Sequence, residues 1–457
     1  MSGQKPREIA AQVLDQALAQ DLSPTAGARA QTLSKPAHSP FGDARPRIFI
    51  EEILETKLAG AHLAPVDRGL CQELVYGVIR WSATLDWLIG QRIKHQFPAL
   101  RLRNLLCLGL YQIFWLDRIP HHAAVHETVE LAKHSGFGAQ TGFVNALLRG
   151  YLREYPATKV RLAELKVADP PLGFSHPGWL VSRWRNQWDA QSVATLMEWN
   201  NTPPKTFARV NLLKTEPGQL LALWRDEGVE YDFSRSDWFE DNLVFELKSH
   251  PPLRGLGSFQ QGFFYVQDPS TLLAVHLIGA QPGETILDLC AAPGGKLTYT
   301  AQRMLNKGRL VAYDQSPERR KLIQENCLRL GITCTEIVSE LPHTSGPSRF
   351  DRILVDAPCS NTGVMRRRVD LRWRIRLEEV ERLRGIQLEL LRQVASLLKP
   401  RGVLVYSTCS LEQEENRDVI VQFLREQNEF ELDEERQLLP FRDKVDGAYV
   451  ARLKAAG

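Results

Sequence analysis

Several classes of protein are excluded by what this sequence lacks. No Cys-x-x-Cys pair occurs among its seven cysteines, which are odd in number, scattered and mostly set in apolar runs. That argues against a zinc site and against a disulfide framework, so no metal is expected and the chain reads as reduced and cytoplasmic. No apolar run approaches the roughly eighteen residues of a membrane span. The opening Met-Ser-Gly-Gln-Lys-Pro-Arg-Glu lacks the apolar core of a signal peptide. No membrane partner is expected. An excess of one charge is missing too. The formal net charge is +3, so composition does not announce a nucleic-acid binder, although a local basic face remains open. No internal repeat is evident. The 457 residues, 43% of them apolar, can bury several cores, and the length suggests roughly two to four domains.

One stretch organises the rest, Ile286-Leu-Asp-Leu-Cys-Ala-Ala-Pro-Gly-Gly-Lys296. Thr285–Leu289 reads as a short buried strand, broken by Pro293, Gly294 and Gly295 before a helical pattern. A strand, a glycine turn and a helix open a nucleotide-binding α/β sheet. Gly-x-Gly-x-x-Gly and Gly-x-x-x-x-Gly-Lys-[Ser/Thr] are both absent, so this is not the phosphate version. A second strand, Arg309–Tyr313, ends in Asp314, and a carboxylate at that distance suits the hydroxyls of a ribose.

Along the chain, three domains are expected. Residues 1–165 show helical apolar spacing at 7–19, 67–81, 84–93, 100–116, 123–134 and 141–153, with almost no strand signal, and read as an all-α bundle. Asp21–Arg47 has little periodicity and reads as a flexible insertion. Residues 166–260 read as a small α+β unit with strands at 206–212 and 243–247. Residues 261–457 alternate strand and helix, with strands at 285–289, 309–313, 334–338, 352–355 and 403–407, which is an α/β doubly wound (Rossmann-like) pattern. Within the bundle, Arg68–Arg80, Leu110–Phe114, Ala124–Val129 and Gly142–Arg149 resemble the NusB-like RNA-binding domain.

Ligands of such sheets lie beyond the carboxyl ends of the strands. Four ends here carry Asp288–Lys296, Asp314, Asp356-Ala-Pro-Cys359 and Ser407-Thr-Cys-Ser410. Cys359 and Cys409 each follow a strand in a turn-like context, unlike Cys107 and Cys327, which read as core. Two thiols over one crevice suggest covalent chemistry in which one attacks and the other manages protons or release. Asp356 adds a carboxyl that could donate to a ring nitrogen if protonated or accept from an amino group if ionised.

These motifs, with Glu414-Glu-Asn416 and Asp446-Gly-Ala-Tyr-Val-Ala-Arg-Leu453, resemble the S-adenosylmethionine-dependent RNA cytosine-5 methyltransferases. With the NusB-like front, the layout resembles the branch of that family acting on small-subunit ribosomal RNA. The resemblance implies a class I methyltransferase domain with S-adenosyl-L-methionine as cofactor, RNA as partner and a monomer. It also implies roles. Cys409 adds to C6 of a cytosine, Cys359 helps proton removal and release, and Asp356 steadies the base at N3. Cys290, Ala291, Ala292, Pro293, Gly294, Gly295 and Lys296 cradle the cofactor, to which Asp356 also lies close, and Asp314 holds its ribose. The family's adenosine-contacting acid has no clear counterpart, and Glu340 is the candidate. Asn361 stands where a small residue is common, and Arg368-Val-Asp370 where His-Pro-Asp is usual. A crowded basic segment (Arg366, Arg367, Arg368, Arg372, Arg374 and Arg376, with Trp373 among them) is read as a phosphate-binding and base-stacking RNA surface. The competing readings are a transfer-RNA cytosine-5 methyltransferase and a non-catalytic RNA-binding or assembly factor.

Overall fold

The structure is a computed structural model that describes residues 4–18, 49–93, 96–341 and 349–456. The expected insertion at 21–47 lies outside the described residues. The chain forms two compact units. One runs to Thr202 and also takes in Met365–Arg374; the other comprises Pro203–Val364 and Ile375–Gly457. No helix among the described residues is long and apolar enough to cross a membrane.

The first unit is helical, as its spacing predicts. Gln4–Leu18, Ile50–Ala59, Pro65–Arg80, Ser82–Gly90, Leu100–Trp115, His121–His134 and Thr141–Arg153 are α-helices. Leu100–Trp115 is buried without a break from Leu102 to Phe114, so it is the central helix. Gly77 is required there, because a Cβ would meet the Tyr111 ring at 1.9 Å. The unit does not stop at residue 165. Helices continue through Tyr155–Ala168, Gly178–Gln187 and Ala190–Asn201. They are tied to the bundle by the Thr84 hydroxyl, which donates to Leu172 O (2.7 Å), and by Ala83 N–H, which donates to Ser175 Oγ (3.0 Å).

Met365–Arg374 corrects the expected RNA surface. Trp373 is 7% exposed, belongs to the helical core with Val369, and donates its indole N–H to Ile79 O. It is not available to stack on a base. Arg366 is 2% exposed with its guanidinium 4.0 Å above the Trp199 ring. Arg368 lies over Phe49, and Arg374 pairs with buried Asp370. Arg372 is wholly buried and donates to Arg80 O, Ser175 O, Asn200 O and Asn201 Oδ1. Arg367 and Arg376 are half-buried. The run of positive charge looked like a solvated, ligand-facing stripe, but most of it is packing between helices.

The second unit holds two sheets. Strands β1 (Thr206–Val210), β2 (Glu230–Ser236), β3 (Phe239–Ser249) and β4 (Phe264–Val266) form an antiparallel sheet in the order β2-β3-β1-β4. The helix Pro217–Asp226 buries Trp224 against Phe245 and Phe264 of this sheet. β4 lies past residue 260, and Phe207, Leu243 and Val244 share a core with the larger sheet. The expected boundary at 260/261 therefore runs through one packed body.

The larger sheet contains β5 (Thr285–Leu289), β6 (Arg309–Tyr313), β7 (Thr335–Val338), β8 (Phe350–Asp356), β9 (Leu398–Thr408), β10 (Phe430–Leu438) and β11 (Ala448–Ala455). Its order is β10-β11-β9-β8-β5-β6-β7. β5 to β9 pair in parallel, while β11 pairs antiparallel with β9 and β10. Strand order reverses between β5 and β8, and the crevice of a doubly wound sheet opens at that switch point.

Candidate active site

β5 is buried along Ile286–Leu289, as a central parallel strand should be, yet it carries Asp288. The chain then turns. Cys290 has φ 64°, and Gly294, at φ 104°, stands in the left-handed region before the helix Gly295–Arg303. Only glycine adopts that φ without strain. The turn is fastened on several sides. Ala291 N–H donates to Tyr313 O (2.9 Å), Ala292 N–H to Asp314 Oδ2 (3.3 Å) and the Asn326 amide to Pro293 O (2.9 Å). Arg209 on β1 is 1% exposed, donates to Gly295 O and Thr298 Oγ1, and lies against the Tyr265 and Tyr299 rings. The small sheet thus buttresses the glycine turn from below.

Asp314 arrives where its spacing predicts. It is 2% exposed, accepts from Ser316 N–H (3.1 Å) and pairs with Arg319 (3.2 Å). Glu340 lies exposed just past β7.

Across the switch point, Lys296 Nζ stands 2.7 Å from Asp356 Oδ2, and the Ser407 hydroxyl donates to Asp356 Oδ1 at 2.7 Å. Burial alone would lower the Lys296 ammonium, but the charges of Asp356, Cys409 and Asp288 hold it above the usual lysine value. The cysteines meet. Cys359 Sγ and Cys409 Sγ are 3.3 Å apart. Cys359 is buried and Cys409 half-buried. The hydrogen bond with Cys409, then burial, then the charges of Cys409 and Glu415 push the Cys359 thiol well above its ordinary value. Cys290 is pushed up to about 12, by burial first and then by Asp356, Asp314 and Asp288, so it is an inert neighbour rather than a third reactive thiol.

Asn361 takes φ 58°, which an asparagine tolerates better than most residues. Its Nδ2 donates to Cys359 O (2.8 Å), and its Oδ1 accepts from the Cys409 thiol (3.0 Å). The departure at this position therefore keeps the turn and adds a contact to the sulfur.

Two further acids of these motifs, Asp288 and Glu415, are deeply buried. Asp288 is 1% exposed, and neither carboxyl oxygen has a hydrogen-bond partner among the described residues. The signal was a charged residue inside an apolar parallel strand. Burial first, then Asp356 and Asp314, push its carboxyl well above the usual range, against the pull of Lys296. Glu415 is fully buried beneath the cysteine loops.

Asp288 thus stands among the charges of Asp356, Lys296 and Asp314, the last of which pairs with Arg319. An orphaned buried carboxyl in an acidic crevice fits a cationic cofactor carrying an ammonium and a sulfonium. Asp288→Asn provides a test. The folded-state value of this group lies above its unfolded value, near 3.9. Its contribution to stability is therefore fully present at low pH and is lost as pH rises. The amide should stabilise the protein at neutral pH and change nothing below roughly pH 4, while weakening S-adenosylmethionine binding. Urea unfolding across pH, with calorimetry, reads both; equal stability at neutral pH would refute the account.

Known proteins are similar to this chain over most of its length. A family model described as 16S rRNA methyltransferase RsmB/F matches residues 275–454, one for the NusB family matches 4–153, and one for an RsmF/B-like ferredoxin-like domain matches 176–248. The probable ribosomal RNA small subunit methyltransferase B of Bacillus subtilis (strain 168) is 35% identical over 89% of this chain and 94% of its own length. The ribosomal RNA small subunit methyltransferase B of a Salmonella paratyphi B strain is 35% identical over 86% and 91%. A methyltransferase homologue from Pyrococcus horikoshii superposes with a TM-score of 0.54 at 27% identity, covering 63% of this chain and 98% of that one. Identity at that level across nearly the whole of both curated relatives means that this chain belongs to the RsmB/F family of S-adenosylmethionine-dependent methyltransferases.

Proposed function

We propose that the protein transfers a methyl group from S-adenosylmethionine to C5 of a cytosine in small-subunit ribosomal RNA, through a covalent bond between Cys409 and C6. The observation that carries this reading is the pair of thiols 3.3 Å apart, beside the Lys296–Asp356 ion pair at the sheet's switch point. The RNA substrate is supported by the names of the curated relatives.

Cytosine C5 is a poor nucleophile while the ring keeps its aromaticity. The half-buried Cys409 is the thiol open to a base; it releases its proton to solvent and forms the bond to C6 as the thiolate. The electron pair displaced from the ring gathers at N3, which takes a proton by way of the Lys296 ammonium, held by Asp356, and returns it when the ring re-forms. C5 thereby becomes the nucleophile. The bound cofactor supplies an electrophilic methyl group on a sulfonium. Asp288 would hold its ammonium, Asp314 its ribose, and the turn Cys290–Lys296 its remaining edge. Cys359, whose proton affinity is raised, is a poor nucleophile as the thiol; with its own proton released to solvent it is a strong base. It takes the C5 proton, the ring double bond re-forms, and the Cys409–C6 bond breaks.

Bisulfite sequencing after incubating the purified protein with S-adenosylmethionine and either 16S ribosomal RNA or transfer RNA tests the proposal. A single protected cytosine in the ribosomal RNA is the expected result. Protection only in transfer RNA would move the substrate, and protection in neither would refute it.

A further inference from the structure

The loops that carry the two cysteines do not touch only through sulfur. Ser360 follows Cys359, Ser410 follows Cys409, and one buried side chain holds both. Glu415 Oε1 accepts from Ser360 N–H at 2.8 Å and from the Gln387 amide at 3.1 Å. Glu415 Oε2 accepts from the Ser360 hydroxyl and, at 2.5 Å, from the Ser410 hydroxyl. A carboxylate accepts about four hydrogen bonds, so this one is fully used by two loops and the helix Leu377–Ala395 that bears Gln387. The carboxyl is fully buried, and Ser360, Ser410 and Gln387 are at most 3% exposed. Its own backbone is held as well, since the Tyr406 hydroxyl donates to Glu415 O at 2.6 Å. Around it, Ser360 Oγ and Ser410 Oγ lie 3.0 Å apart, and Ser410 Oγ accepts from Glu412 N–H.

We propose that Glu415 is the positioning residue that sets the separation of Cys359 and Cys409, so that attack at C6 and proton removal at C5 act on one base. This rests on the thiol chemistry proposed above. Glu415 touches neither sulfur. It acts through the residue next to each cysteine, and one residue along a turn is the shortest lever available. At 3.3 Å the sulfurs are within hydrogen-bond reach; a shift of about 1 Å in either loop is the scale at which catalysis falls by about a hundredfold. A carboxyl whose only task was to fill the core would be an expensive choice. An apolar side chain of similar size would avoid the desolvation of a charge, so the four directed bonds are the reason for an acid here.

Dibromobimane, which becomes fluorescent on bridging two neighbouring thiols, reads the separation without RNA or cofactor. In the full-length protein, bridging should be rapid and should vanish in Cys359→Ala and in Cys409→Ala. Glu415→Ala should slow bridging about tenfold and lower kcat about a hundredfold, with cofactor Kd and KM for RNA within about twofold. Glu415→Gln, whose oxygen still accepts and whose amide can donate to a serine hydroxyl, should recover part of both. If Glu415→Ala yields no folded protein, Ser410→Ala is decisive, with a slowing of about threefold expected from the loss of one bond. A folded variant that bridges at the wild-type rate overturns the proposal, as does slow bridging with undiminished kcat. Should the thiol chemistry itself be wrong, Cys409→Ala would keep its activity, and the bridging rates would still report whether Glu415 sets the distance.

Discussion

Cys409→Ala should abolish methyl transfer and leave no RNA bound to protein under denaturing conditions, whereas Cys359→Ala should accumulate a covalent complex that forms and then stalls. Both sulfurs face one crevice, 3.3 Å apart, but a cytosine offers one C6. In the proposed reaction the half-buried Cys409 attacks it, and the buried Cys359, with its raised proton affinity, manages the C5 proton. Without that proton transfer, the C6–S bond has no route to elimination. The expected fall in turnover is at least about ten-thousandfold for Cys409→Ala and about a hundred- to ten-thousandfold for Cys359→Ala. A denaturing gel with labelled RNA reads the adduct directly. A slow band for Cys409→Ala and none for Cys359→Ala would exchange the roles; full activity in both would remove covalent catalysis.

Arg372→Ala should cost about 3–5 kcal/mol of stability. Among the described residues the guanidinium has no carboxylate partner. Burial, and then the neighbouring Arg80, push its pKa well below the ordinary arginine value. Its donors reach Asn201 Oδ1 at 2.7 Å, Asn200 O at 2.8 Å, Ser175 O at 3.2 Å and Arg80 O at 3.3 Å. Removing it strands four buried acceptors. Arg372→Lys should restore little, since a point ammonium cannot span a planar fork of acceptors. Urea unfolding followed by tryptophan fluorescence measures the loss, and a change under about 1 kcal/mol would refute the account. It follows that deleting residues 1–165 is no clean removal of an RNA-binding module, because Val369 and Trp373 would lose their core.

Sequence and structure agree where one local rule decides the outcome. Thr285–Leu289 and Arg309–Tyr313 are strands with the expected limits, and the helix Pro317–Leu330 is bounded by local signals, with Ser316 capping the start and Gly331 (φ 71°) the end. Thr141–Arg153 is read to the residue for a similar reason, a strong apolar stripe between turn residues. β10 was missed because Phe430–Leu438 is an outer strand with four exposed positions in succession and no alternation to detect. β2 and β4 are short, or exposed along most of their length, and exist by pairing with distant segments. In the candidate site, Cys359, Cys409, Asp356 and the glycine turn follow strand ends, a position that the sequence pattern marks and at which the structure brings them together. Spacing does not encode the burial of Asp288 or the distant partners of Glu415. The arginine run misled for the same reason. A guanidinium against Trp199 and one in water have the same sequence.

The short excursion of Met365–Arg374 into the helical unit bears on synthesis. Domains usually fold in order as the chain emerges, the first complete before the next begins. Here the bundle's first helix and its last core residue, Trp373, are separated by most of the chain. While the ribosome is still making β5 to β8, the bundle has a gap where Val369 and Trp373 belong. The front of this protein cannot finish folding until the loop bearing Cys359 has been translated, so the two halves must mature together rather than in turn.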